Sequence, residues 1–240
     1  VGGTDMLGSS EAPAEAQAEP EATATAPAEK SVAVLPFVNM SSDPEQEYFS
    51  YGIIEDVIAE ILKIPDILVI SRNSSFTYKG RAVTAPGVSQ DLGVRYILEG
   101  SVRKSGDRVR ITARLIDGHS GGQLWAERYD RDLADIFAVT ERIVSTLAVK
   151  LGGDEKRGTR SEPDDPEAYD CVLRGRERYR QYTKDGNAAA RELYDRAIEL
   201  QPDYAEAYAG LAYTHMHDWF LCDSVALERA FALAERAREL

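Results

Sequence analysis

His215, His217, Asp218, Cys222 and Asp223 lie close together and are of types that can bind a transition metal. On a helix, side chains two positions apart diverge by about 200°, so the two imidazoles cannot converge on one ion. The other histidine, His119, falls in a distant turn. The cluster reads as a polar helix end and an inter-helix loop, and no metal is assigned. Nucleophilic catalysis fares no better, because no serine sits in a Gly-x-Ser-x-Gly elbow. The chain has neither a phosphate-binding Gly-x-x-x-x-Gly-Lys-Ser/Thr loop nor a Gly-x-Gly-x-x-Gly turn after a strand. Glu45, Glu47, Glu55, Asp56 and Glu60 gather near one helix start, where carboxylates are favoured electrostatically. Nothing in their spacing selects an acid–base pair. No catalytic residue and no cofactor is assigned.

Two polar groups suit binding better than catalysis. Arg103, Arg108, Arg110 and Arg114 alternate along neighbouring strands and could meet an acidic ligand; as a solvated face they would be balanced by Glu99 and Asp117. Asn39, Ser41 and Ser42 follow the first strand, and Arg72 and Asn73 follow the second. If those strands are parallel, both turns lie at the carboxyl edge, where open α/β sheets take ligands. These five are the candidate small-molecule ligand residues. Their structural alternative is local, with Ser41 or Ser42 capping the next helix and Asn73 shaping a turn.

The elements that would position these groups follow from hydrophobic period. Val32–Phe37 reads as a buried strand, and Phe49, Ile53, Val57 and Ile61 mark a helix that turns Glu55, Asp56 and Glu60 outward. A second strand spans Ile67–Ser71. A short helix runs from Val88 to Leu92, with Gly93 at its left-handed cap. The period then falls to two over Tyr96–Lys104, Val109–Asp117 and Gln123–Asp130, an antiparallel meander with one wet face. A last helix carries Ile136, Val139, Ile143, Leu147 and Leu151. The fold class is α+β or α/β: a mixed β-sheet with helices on its apolar face.

Beyond Asp165 every pattern is helical. Ala190, Tyr194, Ala197 and Pro202 have the spacing of the second helix and terminator of a tetratricopeptide repeat. Tyr208, Leu211 and Ala212 would open the next repeat. Ala230, Ala234 and Ala237 echo the second-helix pattern after a longer loop around 218–223. Leu173, Gly175 and Tyr179 form a degenerate first helix. Stacked helix pairs leave a concave groove for a protein or peptide, with Tyr208 and Tyr213 as candidate partner-binding residues. The expected domains are therefore a linker at 1–30, an α/β domain at 31–151, a linker at 152–166 and helical repeats at 167–240.

Composition sets the outer limits. Ala, Pro and Glu dominate the first 30 residues, too little apolar surface to offset ordering. The net charge of −13 over 240 residues argues against a nucleic-acid partner. No run of about 18 apolar residues is present. Two cysteines, Cys171 and Cys222, leave the redox compartment open. Val1 in place of Met, and a helical pattern still running at Leu240, give the expectation of a fragment of a longer polypeptide.

Three stretches, AVLPFVNMSSDPEQEYFSYGIIEDVIAEI, ISRNSSFTYKG and LGVRYILEGSVRKSGDRVRITARLIDGHSGGQLWAERYDRDLADIFAV, resemble the TolB amino-terminal-like domain followed by tetratricopeptide repeats. The resemblance covers about residues 31–240. Tyr51 departs from it, standing where an Asp is expected before Gly52-Ile53. The resemblance implies a non-catalytic regulatory or sensing region, C-terminal to a class III adenylate or guanylate cyclase domain. Two other arrangements fit it: a scaffold working through the repeat groove, or the periplasmic sensor half of a CadC-like winged-helix regulator. The location would be cytoplasmic beside a cyclase domain and periplasmic after a membrane span.

Overall fold

The computed structural model describes residues 28–152, 165–220 and 224–240. Most of the two expected linkers, and Cys222, lie outside the described residues. The first strand, β1 (Ala28–Val34), starts earlier than its apolar run suggests and takes in Ala28, Glu29 and Lys30. Val32 and Val34 are buried on one side of it, Ala33 and Leu35 on the other. β1 is flanked by β3 (Leu68–Val69) and β4 (Val94–Ser105), parallel to both. A two-residue strand, β2 (Val38–Asn39), also pairs with β4 in parallel. The antiparallel meander continues through β5 (Arg108–Asp117) and β6 (Gln123–Asp132), giving the order β3-β1-β4-β5-β6.

Helices α1 (Glu47–Ile61) and α4 (Ile136–Lys150) cover the face of the sheet that carries Leu98, Ile111 and Leu115. Helices on one apolar face alone do not describe the fold, however. α3 (Ala85–Leu92) packs Val88 on the opposite face, against Ala33, Leu35 and Ile97. The central parallel strand β1 is thus buried on both sides, while the short flanking strands expose Val38 and Leu68 and the meander keeps a wet face. Thr84 caps α3 by accepting from the Gly87 N–H, and Gly93 closes it at φ 65°, where a side chain would be strained. The second strand is shorter than its apolar run. Ser71 caps a further short helix, α2 (Arg72–Phe76), by accepting from the Ser74 N–H, so the chain turns at that point.

Four helices follow: α5 (Pro166–Tyr179), α6 (Lys184–Leu200), α7 (Ala205–Phe220) and α8 (Ser224–Glu239). Asp165 caps α5 by accepting from the Glu167 and Ala168 N–H groups, with Pro166 at the first helical position. Of the loop expected around 218–223, residues 218–220 belong to α7 instead, and residues 221–223 lie outside the described residues.

Helix α5 belongs to two cores at once. Its Tyr169 and Leu173 are buried in the α/β core, while Ala168, Cys171 and Val172 are buried among α6 and α7. Glycines permit this close approach. A Cβ at Gly52 of α1 would lie 2.4 Å from the Leu173 side chain. Tyr194 of α6 is wedged between Gly175 of α5 and Gly210 of α7, where a Cβ would come within 2.8 and 2.4 Å of its ring.

Leu173→Ala should destabilise the protein by about 2–5 kcal/mol, the range for emptying a packed leucine site. Urea unfolding measures the loss. Hydrogen exchange should show α1 and α5 amides losing protection together rather than α5 alone.

Candidate functional site

The face of α1 that carries Asp56 does not meet solvent; α5 covers it. Asp56 is only 2% exposed. Its carboxylate accepts from the Tyr169 hydroxyl at 2.8 Å and from the Arg176 guanidinium at 3.0 Å. A carboxylate at that depth is tolerated only when paired and hydrogen-bonded, and α5 supplies both groups one turn and three turns along its length. Burial and the neighbouring Asp56 push the Tyr169 hydroxyl well above its ordinary range, so it stays protonated and donates.

Two further contacts extend the seam. Glu55 binds Arg180, the C-cap of α5, and lies 2.9 Å from Arg72 Nε of α2, an ion-pair contact without an aligned hydrogen bond. Asp170 of α5 gathers Tyr48 at 2.6 Å, Lys104 at 2.5 Å and Arg174 at 2.7 Å. The C-terminal end of α5 and Asp170 within it are therefore tied to α1 and β4 by carboxylates on both sides of the junction.

Beside this seam a shallow groove of about 390 Å³ opens between α5 and α7, floored by Tyr194 of α6. Tyr179, Tyr182 and Tyr213 line it, with Arg180 and Glu206 at its sides. Tyr182 is 75% and Tyr213 55% exposed. The Tyr179 ring is the hub, with centroids 6.2 Å from Tyr182 and 6.4 Å from both Tyr213 and His217. Tyr182 sits at φ 51° in the tight turn between α5 and α6, which projects its ring outward. Burial raises Tyr194 to about 12, so its phenol is neutral at physiological pH. Rigid amphipathic rings are good contact surface for a peptide.

Among the described residues, the five small-molecule candidates line none of the grooves around the seam. Asn39 is engaged locally: its side chain accepts from the Ser41 N–H at 2.9 Å. Ser41 Oγ accepts from the Lys104 N–H at 3.0 Å, tying the turn to β4. Ser42 is exposed, and the cap of the next turn is neither serine but Asp43, which accepts from the Glu45 N–H. Arg72 lies 3.9 Å over the Phe76 ring and against Glu55, while Asn73 is exposed on α2. Strands β1 and β3 are parallel, so both turns lie at one edge, but the side chains serve the turns and the seam.

Of the partner candidates, Tyr213 reaches the groove. Tyr208, five residues earlier, lies on another face of α7, where it donates to the Pro202 carbonyl at 3.0 Å and stacks beneath Arg236. His217 joins the aromatic cluster. His215 is held below its ordinary range by burial and by Arg191. On the wet sheet face Arg108 and Arg110 bind Asp130, and Arg114 lies 3.4 Å from Glu99. Asp117 does not balance that row. It accepts from the Ser120 N–H and from Arg95, and so shapes its own turn.

No family model matches the chain. It is 48% identical over 221 residues to "Putative adenylate cyclase 3" of Rhizobium meliloti (strain 1021). That match covers 88% of this chain but 38% of the relative, so the chain spans little more than a third of it. Among solved structures it is similar to the lipoprotein GNA1162 from Neisseria meningitidis, at 20% identity and a TM-score of 0.38. The likeness covers 53% of this chain and 99% of that one. TolB from Acinetobacter baumannii gives 19% identity and a TM-score of 0.39, over 53% of this chain and 28% of that one. Scores so low carry no inference.

Asp56→Ala should cost about 2–4 kcal/mol, because it leaves the partly buried Arg176 guanidinium and the buried Tyr169 hydroxyl without their shared carboxylate. Tyr169→Phe should cost about 0.5–3 kcal/mol, since Arg176 still pairs with Asp56. Chemical denaturation of the two variants distinguishes them.

Asp130 carries a pH prediction. Its hydrogen bonds from Arg110 and Arg108 lower the carboxyl from 3.8 to about 2. Its stabilising effect is present above the unfolded value and is lost as pH falls through about 2. NMR titration should place Asp130 near that value, rising toward the ordinary range in Arg110→Ala.

Proposed function

We propose that this chain is a non-catalytic regulatory and partner-binding region of a bacterial signalling protein, lying C-terminal to an adenylate or guanylate cyclase domain. The observation that carries the reading is the 48% identity to a cyclase-named protein of which the chain covers 38%. The side chains add support. Asp56, Glu55 and Asp170, the carboxylates best placed for acid–base work, are each bound to arginine, tyrosine or lysine in the α1–α5 seam.

In this reading residues 1–30 and 152–166 are linkers and 31–151 a TolB amino-terminal-like domain. Residues 167–240 are tetratricopeptide-type repeats. Two helical hairpins, α5–α6 and α7–α8, support the last point. So does the recurrence of Ala190, Tyr194 and Ala197 as Ala230, Ala234 and Ala237. The groove holding Tyr179, Tyr182 and Tyr213 takes a protein or peptide. Because α5 is shared between the cores, occupancy of the groove reaches the α/β domain through Arg176 and Arg180.

Cyclic-nucleotide output of the full-length parent tests this. Deleting residues 28–240, or changing Tyr179 and Tyr213 together to Ala, should alter output or its regulation, while the isolated chain makes no cyclic nucleotide. Unchanged output under every condition in which the parent is regulated, or turnover by the isolated chain, contradicts it.

A further inference from the structure

Strand β6 is a sheet edge ten residues long, and among the described residues no strand pairs with its outer side. Such an edge is a template for another strand, and charged side chains usually guard it by repelling a copy. In β6 the order of charges does the reverse. Glu127-Arg128-Tyr129-Asp130-Arg131 reads minus, plus, neutral, minus, plus. Turned antiparallel about Tyr129, the same five residues read plus, minus, neutral, plus, minus.

Which residues share a face is set by the register with β5. Tyr129 lies opposite Ile111 and Glu127 opposite Ala113, on the core side, with Arg131 in the same row opposite Val109. Arg128 and Asp130 lie opposite Thr112 and Arg110, on the wet side. We propose that β6 pairs antiparallel with β6 of a second copy of this chain, centred on Tyr129, to join two sheets into one. Glu127 then faces Arg131 of the copy on one side, and Arg128 faces Asp130 of the copy on the other. The two-fold axis repeats each pair, giving four cross-strand ion pairs.

The register is specified as well as allowed. Moving the centre to Arg128 or to Asp130 would set that residue against its own copy, a like-charge contact directly across the strands. Asp130 already accepts from Arg108 and Arg110, and a carboxylate has room for a further donor. Arg131 is exposed and, among the described residues, donates to the Asp130 carbonyl alone, so its head can turn to a partner. This inference uses β6 alone and stands apart from the proposed function.

Sedimentation equilibrium of the 240-residue chain, at low and raised salt, tests it. The expected result is a monomer–dimer equilibrium that weakens with salt. Arg131→Glu and Glu127→Arg should each weaken it by about tenfold or more, since each turns two attractive pairs into repulsive ones. Mixing the two variants should restore a dimer, because every facing pair is then opposite in sign. Native circular dichroism of each variant excludes loss of folding as the cause. A monomer at all soluble concentrations overturns the proposal. So does a dimer indifferent to both changes, or a mixture of folded variants that stays monomeric.

Discussion

The buried contact of Asp56 with Tyr169 and Arg176 is the constraint on which the rest of this molecule depends. A carboxylate under a helix is costly to desolvate, and its attraction to an arginine offsets that cost only with good geometry. Replacing such a pair with apolar residues is often neutral or stabilising, so its value lies elsewhere. It fixes register. The contacts of Asp56 with Tyr169 and Arg176 form when α5 lies along α1 with both residues on the contact face. The packing of Leu173 against Gly52 selects the same placement from apolar surface alone. Polar and apolar terms agree, which makes the junction specific.

The geometry downstream follows from that placement. Once α5 is fixed, its far face presents Ala168, Cys171 and Val172 to α6 and α7, and Tyr194 seats between two glycines. The tyrosine groove is formed where α5 gives way to the turn at Tyr182, so its shape is inherited from the junction. Arg176 and Arg180 reach from the groove to Asp56 and Glu55. A ligand in the groove therefore touches residues that hold the two halves together.

Much of the α/β half was legible in the sequence because its signals are local. Alternation in Val109–Leu115, the four-residue spacing of Phe49 to Ile61 and Gly93 at a helix end each depend on near neighbours. Helix α2 and strand β2 are too short for a periodic signal, and α3 crosses to the second face for reasons set by β1. The candidate site was harder to see. Asp56 and Arg176 are 120 residues apart, and Asp56 follows Glu55 on what reads as a charged outer face. The available hint was glycine: Gly52 and Gly175 interrupt helices in which they are unfavourable, a mark of close crossing. Tyr179 and Tyr194 were noticed for their spacing, but Tyr182 has no pattern, since its exposure comes from a left-handed turn. Tyr208 and Tyr213, five positions and about 140° apart around α7, face different ways, so Tyr213 lines the groove and Tyr208 does not.

Helix α5, packed in both cores, makes the two halves one body. Residual dipolar couplings of amides in β4–β6 and in α5–α7, fitted separately, measure this most directly. A single body predicts a single alignment tensor, the same in magnitude and orientation for both sets. Two tensors of different magnitude would show the halves moving independently, and would contradict it.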